Sequence, residues 1–169
     1  MASVARERPY SQFNFQVSWS PAAGNKGAQL DKKSYQAGFQ EVSGLGVEVT
    51  IAEYRAGNHK SNEPMKITGT VKTPDVTLKR GVIGQSDLAK WLNSIRDGRQ
   101  DHLKNVRITL LAEDRETVAQ EWELKNARPM KYTGPSLNGK GTDIAVEELV
   151  LSAESIDLLP GDDNKTEAN

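Results

Sequence analysis

Residues 39–81 hold the pattern that most restricts this chain: two runs of alternating apolar and polar residues, divided by a polar loop too long for a tight turn. Val47, Val49 and Ile51 alternate with Glu48, Thr50 and Ala52. This is the two-residue period of a strand, which turns successive side chains to opposite faces. Ser43-Gly44 marks a turn before the first run. After the loop, Thr73-Pro74 separates two shorter strand signals, Ile67 with Val71 on one shared face and Val76 with Leu78. The loop carries Tyr54, Arg55, Gly57 and Asn58, and long ordered loops in compact domains usually carry binding or assembly contacts.

The same period recurs along the chain. Phe13, Phe15, Val17 and Trp19 alternate with Asn14, Gln16 and Ser18, a half-buried strand that Ser20-Pro21 ends. Residues 22–33 read as a Gly- and Lys-rich excursion, and residues 35–42 return as a strand. One convincing helix follows over 87–98. Ser86 is placed to cap it, Asp87 suits the positive end of its dipole, and Leu88, Trp91, Leu92 and Ile95 make one apolar stripe before Gly98 stops it. Val106, Ile108 and Leu110, a charged turn at 113–116, and Val118, Gln120, Trp122 and Leu124 predict a hairpin. Residues 131–142 read as a Gly/Pro/Asn loop. Residues 144–159 suit a strand through Ile144, Val146 and Val150 and a helix through their Ala and Glu content; strand is assigned, because the sheet needs a further partner. The fold class is therefore mainly β, a small antiparallel sandwich or barrel with one packed helix. It divides into a flexible arm at 1–11, one domain at 12–159 and an acidic, disordered tail at 160–169.

Composition removes several function classes. The chain has 169 residues, enough for one domain, and Lys+Arg 22 against Asp+Glu 23 leaves a net charge of -1. A balanced surface gives duplex DNA or an anionic membrane no electrostatic hold. With no cysteine there is no disulfide frame, thiolate metal site or Cys nucleophile. No apolar run is long enough to span a bilayer, and residues 1–9 lack the apolar core of a secretory signal, which points to synthesis in a cytoplasm. Residues 134–142 approach a phosphate-cradling loop, but Gly141 stands where a hydroxyl must hold magnesium, so they read as turn-rich loop. His59 and His102 sit apart in polar loops without metal-ligand spacing. Glu121 and Glu123 share a strand face, while Glu147 and Glu148 lie on opposite faces; all four read as solvated acids. The sequon at Asn164 reads as chance. No catalytic residue, cofactor or metal is expected.

Six motifs, in order, are more telling together than apart. They are Glu41-Val42-Ser43-Gly44-Leu45; Tyr54-Arg55 with Gly57-Asn58; Leu78-Lys79-Arg80-Gly81; Leu88 with Trp91; Trp122 with Asn126-Ala127 and Pro129; and Ile144-Ala145 with Glu147 and Leu149. In this order, over residues 13–156, the chain resembles the inner-tube proteins of contractile phage tails and contractile injection systems, a family related in fold to the type VI secretion tube protein. The resemblance implies six-membered rings that stack into a hollow tube, with strands of neighbouring copies joined into a ring-wide β-barrel. It further implies a sheath, baseplate and tube-terminating proteins as partners, and toxin or DNA cargo in the lumen. The particle would be assembled from subunits made in a bacterial cytoplasm, as a virion or an injection device.

Sheet edges must be paired, covered or charged, and a ring pairs them between copies. On this reading Tyr54, Arg55, Gly57 and Asn58 form a subunit interface, Tyr54 as an amphipathic anchor and Arg55 as a carboxylate clamp. Asn14, Gln16, Ser18, Glu48, Thr50, Thr68, Thr70, Thr77 and Lys79 are candidates for the lumen wall. The 22–33 excursion and the acidic tail depart from the family and would face the sheath or the next ring. The alternative is a monomeric effector, or a tube-tip or baseplate adaptor, on the same small β fold; an effector of that kind requires a pocket with convergent polar groups.

Overall fold

The computed structural model describes residues 8–22, 38–84, 86–99 and 101–161. The excursion from 23 onward, most of the N-terminal arm and the tail from 162 lie outside the described residues, as do the first residues of the strand expected at 35–42. Among the described residues there are nine strands and one helix.

Two antiparallel sheets share one strand. The first joins β1 (Phe15–Pro21), β6 (Lys104–Leu111), the first part of β7 (Val118–Thr133) and β9 (Ser155–Pro160). The second joins the last part of β7, β8 (Val146–Ser152), β5 (Val76–Gly81) and β2 (Glu41–Ser43). Asn126 makes the change of sheet possible. Its φ of 50° is a left-handed turn that asparagine tolerates, its N–H donates to Asn105 Oδ1 at 3.1 Å, and the register slips again between Pro129 and Lys131. Pro129, which has no N–H to give, is tolerated beside such a bulge.

A bent β7 forces its partner to break as well. Residues 144–159 are therefore two strands and not the single one expected: β8 follows the last part of β7, β9 follows the first, and the chain changes over at Ala153-Glu154. β7 also runs on to Thr133, where the sequence had suggested loop from 131.

Register explains the core. Trp19, Val106, Leu124 and Ile156 stand side by side across the first sheet, and Leu78 pairs Leu149 in the second; all are buried. Leu88 and Trp91 of α1 (Asp87–Arg96) join that cluster, so the expected helix-to-sheet role of Trp91 holds. Each such side chain contributes about 1.5–3 kcal/mol by leaving water. Gly98 takes φ 88° and donates its N–H to the carbonyl of Ile95, the expected stop. Ser86 makes no side-chain cap, contrary to expectation.

β3 (Glu48–Tyr54) and β4 (Met65–Lys72) stand apart as a two-stranded hairpin. Ser43 pairs Thr77 and Glu48 pairs Lys72, with equal chain lengths between the pairs, so the hairpin continues the β2–β5 ribbon in one register. The join is narrow. Gly44 has φ 87°, and a Cβ there would lie 2.2 Å from the Asp75 carbonyl oxygen. A bulge between Val49 and Ile51 then shifts the register, so Val71 pairs Val49 and Ile67 pairs Ala52. Ile67 and Val71 therefore face opposite ways, and the shared face predicted for them does not form.

Candidate assembly surfaces

Every residue of β3 and β4 is exposed, apolar ones included. Val49 is 46% exposed, Ile51 48%, Ile67 52% and Val71 63%. A lone two-stranded hairpin is marginal in water, and contiguous apolar exposure marks a contact surface. At its far end the β3–β4 loop gathers the four residues singled out from sequence. Tyr54 ends β3, half exposed. Arg55 turns back on its own loop: Nε donates to the Ser61 carbonyl at 3.0 Å, and Nη2 to the His59 carbonyl at 3.2 Å and Asn62 Oδ1 at 3.5 Å. Its first work is to shape the loop. Gly57 stays outside the left-handed region and a Cβ there would meet nothing, so the fold of the subunit does not demand glycine at this point.

The polar residues proposed for the lumen fall in three places. Gln16 and Ser18 lie beside Thr109 and Arg107 on the outer face of the first sheet, and Asn14 sits next to them, its amide donating to the Ala112 carbonyl at 3.5 Å. Thr77 and Lys79 lie on the outer face of the second sheet with Ser43, Glu41 and Glu148. Glu48, Thr50, Thr68 and Thr70 belong to the hairpin. Within a single subunit they lie on separate surfaces.

Strand borders are unfinished on the second sheet. β2 is three residues long, and among the described residues Arg128 to Thr133 have β8 as strand partner along one edge only.

Inside, ionisable groups are consumed in pairing. Arg80, 1% exposed, and Glu147, 7% exposed, are direct cross-strand partners on β5 and β8, with Nε to Oε1 at 2.5 Å. Arg80 also reaches Asp87 at the start of α1 at 2.7 Å, and Tyr132 on β7 donates its hydroxyl to Glu147 Oε2 at 2.8 Å. Glu147 is thus a buried partner, which corrects its reading as a solvated acid. Burial opposes charge on Arg80 most strongly, but its hydrogen bonds to Asp87 and Glu147 outweigh that and raise its pKa. Burial likewise acts against the charge on Asp87, yet Arg80 holds its carboxyl below the usual value. The bond to Glu147 raises the Tyr132 phenol.

A missed signal was present in the sequence. Arg80 follows Val76 and Leu78 at core parity, and Glu147 precedes Leu149 and Leu151 at core parity: one inward charge of each sign on two strands. Lys104 lies 4.6 Å from the Trp91 ring and 5.7 Å from that of Trp19, and burial lowers its pKa against the pull of Asp87. Glu121 and Glu123 are met across strands by Thr109 at 3.2 Å and Arg107 at 3.5 Å. Among the described residues no three His, Asp or Glu side chains converge as metal ligands would.

A sandwich with charges paired inside it, unfinished strand borders and an apolar hairpin held out in water is a structural subunit built to assemble. The family model for T4-like virus tail tube protein gp19 matches residues 11–157, and the chain belongs to that family. It is similar to a chain in the PVC sheath-tube complex of an extracellular contractile injection system in the extended state, at 28% identity over 94% of this chain and 95% of that one, with a TM-score of 0.75. A chain of the PVC sheath/tube terminator is 30% identical over 92% and 99%, and one of the anti-feeding prophage tube-terminating cap is 26% identical over 93% and 95%; both have a TM-score of 0.75. No curated protein matches. The protein is a structural tube subunit of the phage-tail and contractile-injection type.

Proposed function

We propose that this subunit closes six-membered rings, that the rings stack into a hollow conduit, and that a contracting sheath drives the conduit through a target envelope to pass cargo. The observation that carries this is the hairpin: all of β3 and β4 is exposed, in a family whose members are tube proteins. The partners are further copies of the chain, a sheath, a baseplate and a terminator. The chemistry is assembly without turnover, and subunits are made in a bacterial cytoplasm before they join the particle.

Lateral closure is assigned to the second sheet. Its two borders, β2 and the end of β7, gain backbone hydrogen bonds when a neighbour adds its complementary border. In a barrel made of that sheet the inner side of each sandwich is filled by core, so the opposite face lines the bore. Thr77 and Lys79 then face cargo, with Lys79 paired to Glu41 at 3.1 Å, while Asn14, Gln16 and Ser18 face outward. Paired charges leave a wet wall with little hold on anything passing. Tyr54, Arg55, Gly57 and Asn58 lie across an adjacent copy. The test replaces Tyr54 and Arg55 by alanine together: tubes should become rare under negative stain while the monomer keeps its circular dichroism spectrum. Undiminished tubes would remove this interface.

A further inference from the structure

Asn138-Gly139, in the loop between β7 and β8, is a pair that the backbone does not require there. Tight hairpin turns favour Asn-Gly because both of their central residues take left-handed φ. Neither residue does so here: among the described residues, positive φ is confined to Arg115 and Asn126 and to Gly44, Gly84 and Gly98. A Cβ on Gly139 would meet nothing within 4 Å. The missing side chain therefore leaves an unshielded nitrogen on an exposed turn. The hydrogen bonds of that turn come from its neighbours. The Gly141 N–H donates to the Asn138 carbonyl at 3.0 Å, and the Lys140 N–H donates to Asn138 Oδ1 at 3.1 Å.

We propose that Asn138 is a site of self-modification, where the folded turn converts asparagine to aspartate and isoaspartate without an enzyme. The Gly139 nitrogen attacks Asn138 Cγ and closes a cyclic imide; its proton goes to solvent base, while Nδ2 takes up a proton and leaves as ammonia. Water then opens either imide carbonyl. One opening restores the peptide bond beside an aspartate carboxylate, and the other routes the main chain through the side-chain carbonyl. Water is consumed, ammonia is released in equal number, and nothing is oxidised or reduced. The turn favours ring closure in two ways. The bond from Lys140 folds the side-chain amide over the peptide that carries the attacking nitrogen, and the same N–H faces the oxygen on which negative charge gathers.

Other sites lack this arrangement. Asn126 gives Nδ2 to Glu154 Oε2 at 2.7 Å and Asn14 gives its amide to the Ala112 carbonyl at 3.5 Å, and a residue with a side chain follows each. At Asp97-Gly98, where the same ring is chemically open, the Gly98 N–H is engaged with the Ile95 carbonyl at 3.1 Å. Each conversion adds a negative charge to a chain whose net charge is -1, next to Leu137, which is 84% exposed. A stored subunit thus records its age on its surface.

The test holds the purified full chain in mildly alkaline buffer for days, folded and too dilute for copies to associate, beside the same chain unfolded in urea. Digestion and mass spectrometry should show an amide replaced by a carboxylate at Asn138. Methyl transfer from S-adenosylmethionine by an isoaspartate methyltransferase should confirm the rerouted main chain. The folded chain should convert at least as fast as the unfolded one, and Asn126 and Asn14 should keep their amides while it stays folded. Gly139→Ala should slow conversion about tenfold or more, the factor given by about 1.4 kcal/mol in the barrier. Its circular dichroism should be unchanged, because the space at 139 accepts a methyl group. Slower conversion in the folded chain than in the unfolded one would overturn the proposal, since the turn would then protect the amide. Equal rates in Gly139→Ala and wild type would overturn it too. Both readings are made on single chains and do not depend on ring or tube formation.

Discussion

Replacing Glu147 by leucine tests whether the buried ion pair holds the sandwich together. The change strands Arg80, which is 1% exposed, with Asp87 at 2.7 Å as its remaining carboxylate, and takes the acceptor from the Tyr132 hydroxyl. Breaking a buried pair from one side costs about 3–5 kcal/mol. Asp87 is partly exposed and continues to neutralise the guanidinium, so the lower end applies, about 3 kcal/mol. At ~2–4 °C per kcal/mol for a chain of this length, Tm should fall by about 6–12 °C. The assay is thermal unfolding at a protein concentration too low for copies to associate, so that assembly does not add to apparent stability. Arg80→Met with Glu147→Leu should recover most of the loss, because apolar residues of similar volume replace buried pairs at little cost. A single variant within about 1 kcal/mol of its parent, or a double variant worse than the sum of the singles, would refute the reasoning.

Gly44→Ala should cost at least about 1–2 kcal/mol, from its left-handed φ alone and before the approach to Asp75 is counted, and should lower the urea midpoint. Asp87 has a depressed folded pKa, so its stabilisation is complete above the ordinary carboxylate value of about 4 and is lost as pH falls through the folded value. Asp87→Asn should flatten that acid limb in a plot of Tm against pH.

The strands were legible wherever one face is core and the other wet. Val17 and Trp19, Val106 and Ile108, and Val76 and Leu78 all read correctly because period two survives burial on one side. Reading failed where one element serves two partners. Nothing local to 144–159 shows that β7 bends; the break between β8 and β9 is imposed from outside by Asn126 and Pro129. The hairpin was legible as two strands but not as an arm, because the alternation of Val49 and Ile51 looks the same whether the apolar face meets its own core or another chain. Ile67 and Val71 were misplaced for a local reason, a bulge opposite Thr50 that the spacing of apolar residues cannot reveal. Interface and bore residues depend on neighbours, so sequence could nominate Tyr54 or Thr77 without fixing what either touches.

Arg80 and Glu147 face each other directly across β5 and β8, and this makes them a registration peg. Sliding β5 by a single residue would swing the guanidinium into solvent and push Lys79 among the leucines, a state with no carboxylate waiting for it. Apolar neighbours alone would forgive such a slide more readily. In the ring proposed above, a small misalignment in each copy would accumulate around the circumference until the seam could not meet, so one internal peg per copy would set the fit of the whole.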